Sequence, residues 1–109
     1  MRSCHFYKQE VDKTVERDGC LEWQANKLRT AKSREMNCIM AIEEMAELTK
    51  EVTKLARGYA RKREWLIEEI ADVEISLAIL MDEFDVSRGE VDEEVGRKMN
   101  RNLKRMKEV

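Results

Sequence analysis

The stretch Ile42-Glu43-Glu44-Met45-Ala46-Glu47-Leu48 returns 25 residues later as Ile67-Glu68-Glu69-Ile70-Ala71-Asp72-Val73. Four of the seven positions are identical and the other three are conservative. Each copy sits inside a segment with helical periodicity. Over 33–57, Ile39, Met40, Ile42, Met45, Ala46, Leu48, Val52 and Leu55 recur at three-and-four spacing, the pattern of a helix with a buried stripe. Over 62–84 the apolar set is Trp65, Leu66, Ile70, Val73, Leu77, Leu80, Met81 and Phe84. Gly58 lies between them and suits a helix C-terminus. The reading is an antiparallel helical hairpin whose two arms carry the same acidic pattern.

Hairpin geometry sets the register. Glu44 and Glu47 are three apart and share a helix face, as do Glu69 and Asp72. Folding back about Gly58 puts 44 level with 72, and 47 level with 69. All four carboxylates are then expected at one height, roughly 16 to 20 Å from the turn at 1.5 Å rise per residue. Like charges so placed repel, and a cation would offset the repulsion. A carboxylate cluster with open positions suits a hard divalent ion, Mg²⁺ or Mn²⁺. Magnesium pairs a few carboxylates with substrate phosphates, so the cluster hints at phosphate chemistry. A single Glu-x-x-Glu is usually a solvated face; two copies, symmetric about a turn, carry the functional reading.

Outside the hairpin the patterning is weaker. Residues 5–17 read as a sparse helix with Phe6, Val11 and Val15, and 21–32 as another with Leu21, Trp23 and Leu28. Ser87 followed by Glu90 is a capping box. It opens a last, highly charged helix to about 106, with Val91, Val95, Met99 and Leu103 as a narrow stripe. Residues 1–32 form an N-terminal helical extension and 33–109 the core of one all-α domain. The segment Ile75 to Met81 is apolar on nearly every side, which a small domain can hardly cover alone and which points to oligomer contact.

Composition limits the alternatives. The chain has 109 residues, no proline and four glycines, and 40% of its residues are charged. Its net charge of −2 lacks the basic excess of a nucleic-acid binder. The longest apolar run is too short to span a bilayer. The first ten residues lack the apolar stretch of a secretory signal, so a cytoplasmic location is expected. Cys4, Cys20 and Cys38 form no Cys-x-x-Cys pair, which argues against a disulfide framework and zinc. The lone His5 does not supply the Glu-x-x-His motifs of a di-iron bundle. Gly58, Gly89 and Gly96 are isolated and make no phosphate-cradling loop.

With these residues in view, the chain resembles the MazG-like, all-α nucleoside triphosphate pyrophosphohydrolases. Residues 41–48 look like that family's first motif and 68–73 like its second. Lys98 and Met99, with Asn102 and Arg105, are similar to a weaker C-terminal pattern. The resemblance covers about 34–106. It implies a MazG-like helical bundle completed by oligomerisation, as a homodimer or homotetramer. It also implies Mg²⁺- or Mn²⁺-dependent hydrolysis of a (deoxy)nucleoside triphosphate to the monophosphate and pyrophosphate. Carried over, Glu44, Glu47, Glu69 and Asp72 are the metal ligands. Trp23 stands where members often place a base-stacking aromatic. Asn37 stands where they often carry a glutamine, which leaves base selectivity open.

In the expected mechanism a metal-bound water attacks phosphorus in line, at the α position, with Glu44 accepting its proton. Lys54 lies two turns beyond Glu47 on the same face. Lys98, Asn102 and Arg105 share a face of the last helix, so these four are the expected phosphate contacts. Arg57, Arg61, Lys62 and Arg63 read as a solvated cluster. The rival reading is a non-catalytic helical oligomerisation or partner-binding module; a hydrolase of another pyrophosphate-containing small molecule is a third.

Overall fold

A computed structural model describes residues 21–108, which form four helices: α1 (Leu21–Thr30), α2 (Arg34–Ala56), α3 (Arg63–Glu83) and α4 (Arg88–Lys107). The described residues contain no strand, so this part of the chain is all-α. The expected helix over 5–17 lies outside the described residues. Among those described, no helix is long and apolar enough to cross a membrane.

Local chemistry sets the helix ends. Ser33 caps α2, its Oγ accepting from the Met36 N–H at 3.1 Å. After Arg57 the chain turns through Gly58 at φ 83°. The Gly58 N–H donates to Leu55 O and the Tyr59 N–H to Lys54 O, closing the helix end. An added β-carbon at Gly58 would meet nothing within 4 Å, so its cost would be conformational alone. Gly58→Ala is therefore expected to lower stability by about 1 kcal/mol in a denaturant titration. Both halves of the Ser87–Glu90 capping box are present, at 3.0 and 2.9 Å.

Helices α2 and α3 pack as the antiparallel hairpin, and α1 lies along α3. Polar clips fasten α1 and the start of α2 to the end of α3. Asn26 Nδ2 donates to Asp82 at 3.0 Å, and Arg29 Nε donates to the same carboxylate. Arg34 Nε reaches Glu83 at 3.0 Å, and the buried Asn37 amide donates to Glu83 at 3.2 Å and to Arg29 O at 3.0 Å. The Arg34 hydrogen bond, helped by Asn37 and Arg29, holds the Glu83 carboxyl below the usual range despite its burial.

The hairpin seam mixes polar and apolar side chains, and much of the apolar surface of the two arms is exposed. The α2 face turned toward α3 runs through Asn37, Ala41, Glu44, Leu48 and Glu51, all buried or half-buried. Ile39, Ile42, Met45 and Val52, expected in a core, are exposed, Ile42 by 62%. On α3, Ile67, Ile70 and Leu77 are exposed as well. The buried apolar residues among those described are only Ala25, Ala41 and Val73. Helix α2 carries two stripes at three-and-four spacing; periodicity found the larger one but not which stripe meets the hairpin partner. Three small buried side chains cannot offset the conformational entropy of ordering four helices. Helix α4 has no extended seam with the others and buries no residue.

Candidate metal centre at the hairpin seam

Glu44 from α2 and Glu69 and Asp72 from α3 converge. Each offers an oxygen, and the three atoms lie within 4.8 Å of one another. This is the expected pairing of 44 with 72 across the seam, with Glu69 one turn nearer the hairpin bend. Glu44 and Glu69 are half-buried and Asp72 is exposed. Glu69 Oε2 is shielded from solvent and makes no hydrogen bond. A buried acceptor without a partner is costly, and a carboxylate more so.

Glu47, the fourth expected member, stands apart. Its side chain is half exposed and lies 4.0 Å from Lys50 Nζ. The register is as expected, but Glu47 sits on the solvent edge of the seam. It is not one of the three converged carboxylates, though it faces the same cavity as Glu69.

Burial pushes the Glu44 carboxyl above its ordinary 4.5, and the Asp72, Glu69 and Glu47 charges push further. Glu69 is raised for the same reasons, first burial, then Asp72, Glu47 and Glu51. The folded chain therefore holds these protons more tightly than the unfolded chain. Stability without a divalent ion should fall as pH rises from 4.5 through the raised values. Melting curves in chelator should show this decline, and Asp72→Asn should flatten it; a flat wild-type profile would contradict the geometry. Glu51, Glu83, Glu90 and Glu94 are lowered, so they act below that window, losing their stabilisation as pH falls.

Two cavities flank the carboxylates. One of about 180 Å³ takes Glu44 and Asp72 as its acidic wall, with Leu28, Met40, Ile75 and Ile79 as apolar surface and Lys32, Asn37 and Ser76 as polar groups. The other, about 220 Å³, lies toward the hairpin bend. It is lined by Glu47, Glu51, Glu68 and Glu69, by Lys50, Lys54 and Arg61, and by Trp65.

The sequence-derived contacts divide between these places. Lys54 lines the cavity at the bend. Asn37 lines the apolar one, with its amide nitrogen engaged by Arg29 and Glu83. Trp23 lines a neighbouring cavity that shares Leu28 and Ile75, and Lys27 Nζ lies 5.2 Å from its ring centre. Lys98, Asn102 and Arg105 are exposed on α4 and line neither cavity beside the carboxylates.

Arg61 is a correction. It is not part of a solvated cluster: its guanidinium grips Glu51 through two hydrogen bonds, at 3.1 and 2.8 Å, and stacks 4.3 Å from the Trp65 ring centre. The hairpin register carried the signal, since folding about Gly58 sets 51 level with 65 as it sets 44 level with 72.

No family model, curated protein or solved structure matches the chain. Its class thus rests on fold and site: an all-α hairpin with a carboxylate cluster in its seam.

Proposed function

We propose that the chain is a metal-dependent nucleoside triphosphate pyrophosphohydrolase of the MazG-like kind, working as a homodimer or homotetramer. One observation carries the reading. Glu44, Glu69 and Asp72 converge, with one Glu69 oxygen shielded and unpartnered, between an apolar cavity and one that holds three cations among its carboxylates. All the donors are carboxylate oxygens, the set that fits Mg²⁺ or Mn²⁺. Such an ion, when bound, supplies positive charge for the phosphates and lowers the pKa of a water.

The chain's own residues do the rest. Glu44, Glu69 and Asp72 hold the ion, and Glu47 joins from the edge by turning away from Lys50. Glu44 is the carboxylate that receives the water's proton. The apolar cavity takes the nucleoside, with Asn37, Lys32 and Ser76 as its polar contacts and Trp23 next door. Ile39, Ile42, Met45 and Ile70 are covered by a second copy, which gives the hairpin the core it lacks alone. Lys98, Asn102 and Arg105 reach the phosphates only across such an assembly. Exposed apolar faces would equally suit a non-catalytic module, but that reading leaves the Glu44–Glu69–Asp72 cluster without a purpose.

The test is pyrophosphate release from a panel of ordinary and damaged (deoxy)nucleoside triphosphates, with Mg²⁺, with Mn²⁺ and with chelator. Metal-dependent monophosphate and pyrophosphate are expected. Silence from folded protein across the panel would sink the proposal.

A further inference from the structure

The cavity at the hairpin bend differs from its neighbour in kind. Its cations are Lys50 and Lys54, one turn apart on α2, and Arg61 from the link between the helices. Its one large ring is Trp65. Glu47 and Glu69 form the wall toward the carboxylate cluster, and Glu51, which pairs with Arg61, and Glu68 complete the lining.

Arg61 is held before any ligand arrives. Glu51, nearly buried, accepts from its Nε and Nη2. Trp65 supports one face of the guanidinium. Among the described residues, Nη1 makes no hydrogen bond, and the side chain is 22% exposed. An arginine fixed in this way loses little freedom when an anion docks, and with Nε and Nη2 on Glu51 it offers chiefly Nη1 to a phosphate oxygen.

We propose that Arg61, with Lys50 and Lys54, seats the pyrophosphate end of a triphosphate substrate and holds it as it leaves. This inference rests on the pyrophosphohydrolase reading and gives the substrate a direction along the seam. The nucleoside lies in the apolar cavity beside Glu44 and Asp72, the α-phosphorus lies at the carboxylates, and the tail points to the bend. During hydrolysis the water oxygen bonds to the α-phosphorus while the bond from that phosphorus to the bridging oxygen breaks. The electron pair leaves with pyrophosphate, and the water's proton passes to a cluster carboxylate. Arg61 and the two lysines then face the charge that develops on the leaving group.

The test is calorimetric titration of inorganic tripolyphosphate, with Mg²⁺, into the full chain, beside product inhibition by pyrophosphate and by nucleoside monophosphate. Wild type should bind tripolyphosphate. Arg61→Lys, which keeps a cation beside Glu51, and Lys54→Gln should each weaken that binding by about tenfold and raise the inhibition constant of pyrophosphate alike. Inhibition by the monophosphate should not change. Helix content by circular dichroism checks that both variants fold. If turnover persists and both variants bind tripolyphosphate within twofold of wild type, this inference falls and the enzyme reading stands. Equal weakening toward monophosphate and tripolyphosphate also overturns it, because Arg61 would then only be a clip on the bend. A folded wild type that neither turns over triphosphates nor binds tripolyphosphate overturns the enzyme reading itself.

Discussion

Asp72→Asn should lower kcat for pyrophosphate release by on the order of 10³-fold while helix content is unchanged. Asparagine keeps the shape of the side chain and removes its charge. Asp72 is exposed, so the change opens no hole. Its charge nevertheless matters to both neighbours: after burial, Asp72 is the largest influence raising Glu44 and Glu69. Removing it relieves repulsion in the metal-free chain and weakens the grip on a divalent ion. The two effects have opposite signs. Melting temperature in chelator should hold or rise, whereas the stabilisation gained on adding Mg²⁺ should shrink. Steady-state kinetics and paired melts, with and without Mg²⁺, read both. A non-catalytic module would show the gain in stability with no activity to lose. A variant with kcat within twofold of wild type would remove Asp72 from the site.

Much of this arrangement was legible in the residues. Gly58 and the Ser87–Glu90 pair mark helix ends because capping is local chemistry, decided within a few residues. The repeat and its turn gave the register, and register alone brought Glu44, Glu69 and Asp72 together. Glu47 was placed at the right height, yet height does not say whether a carboxylate points into the seam or toward Lys50. Arg61 looks solvated in the sequence because a charged residue in a link shows its partners only when the opposite wall, Glu51 and Trp65, is laid beside it. The apolar stripe is plain in the sequence, but Ile39, Ile42, Met45 and Val52 are exposed in the protomer. A periodic pattern reports that a face is apolar, not what covers it. The same limit applies to Lys98, Asn102 and Arg105: their shared face on α4 was plain, and where that face goes is not decided within one protomer.

The exposed apolar stripe sets the second large expectation, that folding and assembly are coupled. The solution mass should be a multiple of the 12.9 kDa chain, and melting temperature should rise with protein concentration. Ile42→Lys should separate the copies. Ile42 is 62% exposed in the protomer, so most of its side chain remains for an interface to cover. Full burial of an isoleucine is worth about 1.5–3 kcal/mol. Covering its remaining exposed part contributes roughly 1–2 kcal/mol per copy, and a two-fold interface counts it twice. At about 1.4 kcal/mol per factor of ten, dissociation should strengthen by roughly 30- to 700-fold. Lysine also brings a charge into that contact, which pushes in the same direction. Sedimentation across a dilution series would measure the shift, and circular dichroism on the same samples would show whether helix content falls as the copies part. Loss of both together is expected, because Ala25, Ala41 and Val73 are the only buried apolar residues among those described. A wild-type chain that stays monomeric and melts at one temperature across the dilution series would refute the assembly. The exposed stripe would then need another cover, while the carboxylate cluster, built from α2 and α3 of one chain, would keep its own test in Asp72→Asn.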